Sequence, residues 1–179
     1  MSNIAESEKY HSETRQIAQD IIESYSKLTK DSKIEKLIEI VDRVLKNDGN
    51  AKILLYTKHP TTLKYIVEKL VPYNLKIVEF IGGLTREEKT QRILDFKNNA
   101  QIMISTETGA EGLNFQFCNV LINYDLPWNP MSVEQRIGRL DRIGQTRDMY
   151  IYSLATKDTM EEHVVDLIIN KMCCIGLVI

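Results

Sequence analysis

From Glu134 to Gln145 the chain reads EQRIGRLDRIGQ, and within it Gln135, Arg139 and Arg142 recur at helical spacing. A guanidinium is planar and always charged, and its rigid fork of N–H donors can hold two oxygens of one phosphate, where lysine offers a point charge. The usage is selective: no lysine falls between residues 98 and 156, whereas Arg136, Arg139, Arg142 and Arg147 do. Stepping about 100° per residue from Val133, the apolar Val133, Ile137 and Leu140 cluster within about 60°, with Gln135, Arg139 and Arg142 opposite. The pattern predicts a helix anchored on one side, presenting an amide and two guanidinium groups on the other, with Gly138 at the edge of that polar face. Two uses of the face are open. It is aimed at a phosphate, or it is solvated, with its arginines paired to Glu134 and Asp141.

The elements that must position this helix are legible around it. Apolar runs of strand length occupy 52–57, 75–80, 101–106, 119–125 and 149–155. Helical patterns at 61–71, 85–96, 133–142 and 158–172 separate or follow them, with TREE and DTME as capping boxes. A further box, SKIE at Ser32–Glu35, opens a helix whose Ile34, Leu37, Ile38, Val41 and Leu45 trace one face until NDGN stops it. Strands alternating with helices, each strand nearly continuously apolar, predict an α/β fold: an open, mostly parallel sheet flanked by helices. Before it, residues 5–28 predict an amphipathic helix, either an arm or a packed lead-in.

Ligands of such sheets sit beyond the carboxyl ends of the strands, where loops lead into helix N-termini. After the strand at 101–106 comes ETGAEGLN. There Gly109, Ala110 and Gly112 let backbone approach a ligand, and Ser105, Thr106 and Asn114 offer neutral hydrogen-bonding groups. After the strand at 119–125 comes LPWNP, whose prolines end the strand and whose Asn129 can cap the next helix.

Totals set the bounds. A formal charge of −2 and a pI near 6.0 exclude nucleic-acid binding by bulk basicity, so any such contact is local. Cys118, Cys173 and Cys174 lack the spacing of a zinc site or disulfide framework, which predicts reduced intracellular thiols and no metal site. No apolar run approaches a membrane span and the start, MSNIAESEKY, lacks a signal peptide, so a chain that is neither membrane-bound nor exported is expected. Lys27, Lys30, Lys33 and Lys36 form either a solvated face or a phosphate contact. Three segments result: a helical extension at 1–30, one α/β domain at 31–172, and an apolar tail at 173–179 that reads as a domain edge.

STETGAEGLNFQFCNVLINYDLPWNP followed by EQRIGRLDRIGQ resembles motifs V and VI of the superfamily 2 helicases, in the Swi/Snf subfamily that translocates on duplex DNA. SKIEKLIEIV, ILLYTKHPTTLKYIVEKL and FIGGLTREEKTQRILDFKNN resemble the blocks that precede motif V, so the resemblance spans about residues 32–172. It implies a RecA-like C-terminal lobe, the second of two that clamp ATP and magnesium between them. Carried over by position, Arg139 and Arg142 match the arginine fingers and Gln135 the motif VI glutamine near the nucleotide. Gly112 and Asn114 match positions that contact the ribose, and Glu111 belongs to the pattern without an assigned role. Thr57, Lys58, Gly82, Gly83, Ser105 and Thr106 fall in segments that touch the nucleic-acid backbone. Trp128 either couples the two sites or covers the core.

The implied partners are an N-terminal lobe of the same protein, duplex DNA and a protein complex being remodelled, at a cytoplasmic or nucleoid location. The chain departs from a complete motor in lacking the GKT phosphate loop and the DEAH-type acidic box, which implies that it does not hydrolyse ATP alone. The spelling QRIGRLDRIGQ is closer to bacterial, archaeal and viral members, including the RNA-polymerase-recycling type, than to eukaryotic chromatin remodellers, which usually have QA where this chain has QR. Competing expectations are a non-catalytic orphan RecA-like module that binds nucleic acid or protein, and, within enzymes, an RNA helicase or RNA-polymerase-recycling ATPase.

Overall fold

The computed structural model describes residues 14–21, 23–24, 27, 30–107, 113–140 and 147–174, in two compact units, Met1–Ser32 and Lys33–Ile179. In the first, residues 14–21 are helical and the Gln16 amide donates to Asp20 one turn on at 2.9 Å. Ile22, Tyr25 and Leu28, which the amphipathic pattern also used, lie outside the described residues.

The second unit is built on five parallel strands: β1 (Ile53–Thr57), β2 (Ile77–Phe80), β3 (Ile102–Thr106), β4 (Val120–Asn123) and β5 (Tyr150–Ser153). Their order across the sheet is β2-β3-β1-β4-β5. Around them lie α1 (Ser32–Asn47), α2 (Pro60–Leu70), α3 (Arg86–Asn98), α4 (Pro130–Ile137) and α5 (Met160–Cys174). A 3₁₀ turn at Val71–Tyr73 ends on Asn74, whose φ of 55° lies in the left-handed region that asparagine tolerates. This is a RecA-like α/β architecture. Among the described residues no helix is long and apolar enough to cross a membrane.

Central strands β1, β3 and β4 are buried on both faces, which is why they read as unbroken apolar runs rather than alternating ones. Alternate residues feed two separate cores. Ile53, Leu55, Ile104 and Ile122 meet α1 and α2 through Leu37, Val41 and Ile66. Leu54, Tyr56, Met103 and Leu121 meet α3 and the far side through Phe96, Phe115 and Leu140. On that side Phe96, Phe115 and Phe117 pack edge to face, with ring centroids 5.4 to 6.3 Å apart. The α1 face is centred on Leu37, Ile40, Val41 and Val44, with Ile38 and Leu45 at its margin.

Two helix starts follow from local chemistry. Thr85 and Glu88 form the predicted reciprocal capping box of α3. For α5 the cap falls one residue later than DTME suggests. Asp158 adopts a φ of 61°, its N–H donates to Glu162, and the Thr159 hydroxyl accepts from the Glu161 N–H.

The larger correction concerns α4, expected over 133–142. Asn129 caps it and Pro130 stands in its first turn, so it starts three residues early and ends at Ile137. Beyond Gly138 the backbone tightens, with Arg139 N–H donating to the Arg136 carbonyl and Leu140 N–H to the Ile137 carbonyl, at 3.2 and 2.9 Å. The Arg139 carbonyl is engaged by the Phe115 N–H at 3.0 Å, a tertiary bond that fixes this turn and brings Leu140 into the core.

Phe96 is fully buried and holds the aromatic triangle together. Phe96→Ala is expected to cost about 3–5 kcal/mol, seen as a lower urea midpoint with an unchanged slope.

Candidate functional site

The chain leaves β1 toward one edge of the sheet and leaves β4 toward the other, so the crevice between their carboxyl ends is the topological switch point. A pocket of about 420 Å³ opens there, lined among others by Lys33, Lys58, Asp125, Trp128, Met160 and Glu161. Its floor is braced by Asp125. One carboxylate oxygen accepts from the Thr57 hydroxyl at 2.5 Å and from the Lys58 N–H at 3.1 Å; the other lies 3.6 Å from the Lys33 amine. Lys33 in turn donates to Glu161 at 2.9 Å. Burial raises the Glu161 carboxyl, but the Lys33 and Thr156 hydrogen bonds and the Lys33 charge together hold it below the ordinary value.

The hydroxyls expected near a nucleic-acid backbone are placed otherwise. Thr57 and Ser105 are fully buried and Thr106 nearly so; the Ser105 hydroxyl donates to the Thr106 carbonyl. Thr106 Oγ1 has no hydrogen-bond partner among the described residues. These side chains belong to the sheet interior, and a surface contact from their segments falls instead to exposed neighbours such as Lys58. Gly82 and Gly83 form an exposed turn after β2. Gly83 has a φ of 87° and an added Cβ would meet nothing within 4 Å, so backbone conformation rather than space selects glycine there. Trp128 is 66% exposed at the rim of the crevice, which excludes the reading that it covers the core.

The arginine segment approaches the same edge from the other side of the sheet. Because α4 stops at Ile137, Gln135 lies on the helix and is exposed, whereas Arg139 lies on the following turn. Arg139 is partly buried, and its guanidinium donates to the Leu113 carbonyl at 3.4 Å. Asn114 is exposed, its carboxamide bonded to Gln116 in a tight turn. Arg142, Glu111 and Gly112 lie outside the described residues.

The residue that sequence reasoning missed is Arg136, only 4% exposed. One guanidinium nitrogen donates to Asn123 Oδ1 at 2.7 Å and to the Asp125 carbonyl at 3.1 Å, and another to Glu107 at 2.6 Å. The plane rests over the Tyr56 ring at 4.8 Å. Burial pulls its pKa below arginine's ordinary value, opposed by the bond to Glu107 and by its charge, and the group stays protonated at any neutral pH. The helical wheel held the signal: Arg136 falls about 60° from Val133, on the apolar side of α4.

Among the described residues no group of three His, Cys, Asp or Glu side chains could hold a metal ion. The cationic donors present suit contact with phosphate oxygens that are held elsewhere. A five-stranded parallel sheet with an arginine segment bonded to Glu107, Leu113 and Phe115 defines the class of RecA-like lobes found in helicases. The chain belongs to the helicase conserved C-terminal domain family, whose pattern residues 32–144 match.

Similar proteins agree. The ATP-dependent helicase YqhH of Bacillus subtilis is 42% identical over 152 residues, covering 85% of this chain and 26% of that protein. RNA polymerase-associated protein RapA of Vibrio campbellii is 37% identical over 135 residues, covering 73% of this chain and 14% of that protein. The chain therefore spans about a quarter or less of the length of these relatives. Among solved structures, the C-terminal part of the Fun30 ATPase domain superposes with a TM-score of 0.69 at 24% identity, over 87% of this chain and 53% of that one. The Pyrococcus furiosus Hef helicase domain gives 0.63 at 26%, over 76% and 28%.

Burial pushes the Cys118 thiol up to about 12, partly offset by backbone hydrogen bonds from Val120 and Leu54 and by the Lys52 charge; its single proton points between the Lys52 and Val120 carbonyls, at 2.9 and 3.3 Å. Burial also pushes Tyr56 up to about 12, partly offset by Arg139 and Arg136. Both groups are held in their neutral form, so their contribution is complete below their unfolded values of about 9 and 10 and is lost as pH rises toward 12. The urea midpoint is expected to fall across that window, and Cys118→Ala is expected to flatten its lower half.

Proposed function

We propose that this chain is the C-terminal lobe of a Swi/Snf-type, ATP-dependent translocase on duplex DNA, working against an N-terminal lobe of the same protein. That lobe holds ATP and its magnesium ion; this one closes over them and presents Arg139 and Arg142 to the phosphates, with Gln135 beside the nucleotide and Gly112 and Asn114 near the ribose. The observation that carries the reading is the position of Arg139. It sits just past the end of α4, and among the described residues its guanidinium makes one long side-chain contact, to the Leu113 carbonyl at 3.4 Å, that can be exchanged for a ligand oxygen.

Phosphoryl transfer demands positioning and stabilisation of charge spread over the transferred oxygens, and bound ATP supplies the group transferred. A guanidinium arriving from the second lobe adds that stabilisation only when the lobes are closed, which ties hydrolysis to lobe movement. The exposed Lys58, the Gly82–Gly83 turn and the backbone around Ser105 and Thr106 form the face that follows one DNA strand. Phosphate contacts made mainly by backbone N–H groups reconcile DNA binding with a net charge of −2. The missing phosphate loop and acidic box make the isolated chain inactive, and the working protein resides in the cytoplasm or nucleoid.

A second reading, in which the protein complex acted on is an RNA polymerase, is favoured by the relatives named as RNA polymerase-associated proteins at 37% identity. Purified core RNA polymerase would then raise ATP turnover beyond the level reached with DNA alone.

In the two-lobe protein, Arg139→Ala is expected to lower DNA-stimulated ATP hydrolysis by about 10³ to 10⁵ while DNA affinity changes only a few-fold. Parallel loss of both in a filter-binding and turnover assay would make Arg139 a DNA contact and overturn its assignment to the phosphate.

A further inference from the structure

Asp125 lies just beyond the end of β4, yet the donors to one of its oxygens come from the end of β1: the Thr57 hydroxyl at 2.5 Å and the Lys58 N–H at 3.1 Å. Those donors sit where β1 has stopped and α2 has not begun. The junction has no side-chain cap of its own, because His59, at the N-cap of α2, makes no capping bond and Pro60 follows it. A carboxylate from a neighbouring strand supplies the anchor instead.

That carboxylate is itself held. Its other oxygen lies 3.6 Å from the Lys33 amine, which donates to both oxygens of Glu161 at 2.9 and 3.1 Å. Glu161 in turn accepts from the Thr156 N–H at 2.9 Å. Lys33 also stands over the Tyr124 ring, 5.2 Å from its centroid. With side chains 22% and 23% exposed, Asp125 and Lys33 are sheltered from much of the screening that weakens surface pairs. Lys58, by contrast, is exposed at the rim of the crevice.

The geometry points to Asp125 as a positioning residue for Lys58, with Lys33 and Glu161 keeping its carboxylate in place. Asp125 touches no nucleic acid; it acts through the backbone at residue 58. The Lys58 N–H is already engaged, so contact between this residue and a phosphate falls to its ammonium, and the bond to Asp125 sets the direction in which that side chain leaves the chain. The inference rests on the reading that Lys58 faces a DNA strand, and it adds an acidic residue on which that grip depends. Its sign is opposite to that of charge alone. Removing a carboxylate beside a phosphate-binding face strengthens binding if only the field changes, whereas removing a positioning residue weakens it.

The test uses the two-lobe protein and a short fluorescent duplex, with affinity measured at several salt concentrations. Lys58→Ala is expected to weaken binding and to lower the slope of log affinity against log salt by about 1, the loss of one phosphate contact. Asp125→Ala leaves the Lys58 N–H unheld and is expected to weaken binding about threefold to tenfold, with the slope falling toward the same value. Asp125→Asn keeps an oxygen for both donors and should bind within about twofold of the parent. Asp125→Glu keeps the charge but displaces the oxygens by one methylene, so it should bind more weakly than Asp125→Asn. Because it retains a carboxylate for Lys33, it also decides the matter should Asp125→Ala melt below the assay temperature. Added to Lys58→Ala, Asp125→Ala should cost nothing further, since it acts through the same side chain.

Tighter binding in Asp125→Ala, parent-like binding in Asp125→Glu, or a further loss in the double variant would each overturn the positioning role. If Lys58→Ala still weakens binding in that case, the DNA face stands and only Asp125 is lost from it. If Lys58→Ala leaves affinity and salt slope unchanged, the assignment of Lys58 falls and takes this role with it.

Discussion

A buried guanidinium stacked on Tyr56 holds the ligand-facing edge of this lobe in one arrangement. Arg136 comes from α4, Tyr56 from β1, Asn123 from the end of β4 and Glu107 from just beyond β3, so one side chain joins the helix to three neighbouring strands. Taking a charge out of water costs several kcal/mol, and only dense, well-aligned partners offset it. Here three acceptors and a ring face supply them, although Nε itself finds no partner among the described residues. The pair with Glu107 is asymmetric, with one side sealed and the other half in solvent, so screening weakens the outer end and leaves it the adjustable one.

The same edge carries a second brace on the opposite face of the sheet. Asp125 ties the Thr57 hydroxyl of β1 and the Lys58 N–H just after it to the end of β4, and Lys33 and Glu161 extend the network to α1 and α5. The crevice at the switch point is therefore framed on one side by a carboxylate with several donors and on the other by a guanidinium with several acceptors. Each device satisfies polar groups that the parallel sheet necessarily brings to its carboxyl end, where strands stop and their ladders run out.

Much of this is legible in the sequence. The five strands and the helices around them follow from unbroken apolar runs and local caps; Thr85 and Glu88 are three residues apart and their bonds need nothing distant. Failures came where a residue answered to partners far along the chain. The end of α4 depends on Phe115, some two dozen positions earlier, and no helix-stop signal encodes that bond. The wheel reading uses Gln135, Arg139 and Arg142 and makes no use of Arg136, whose angular position lies on the apolar side. Ser105 and Thr106 offer hydroxyls suited to a ligand and Thr57 enters through the resemblance, whereas the sheet's central strands bury all three.

The cross-bracing at Asp125 bears on how the lobe can move. Two strands that diverge into opposite halves of the fold are stitched together at their tips by bonds of 2.5 and 3.1 Å, which leaves no soft joint between those halves at that point. A body stiffened at its leading edge turns as a whole rather than folding upon itself.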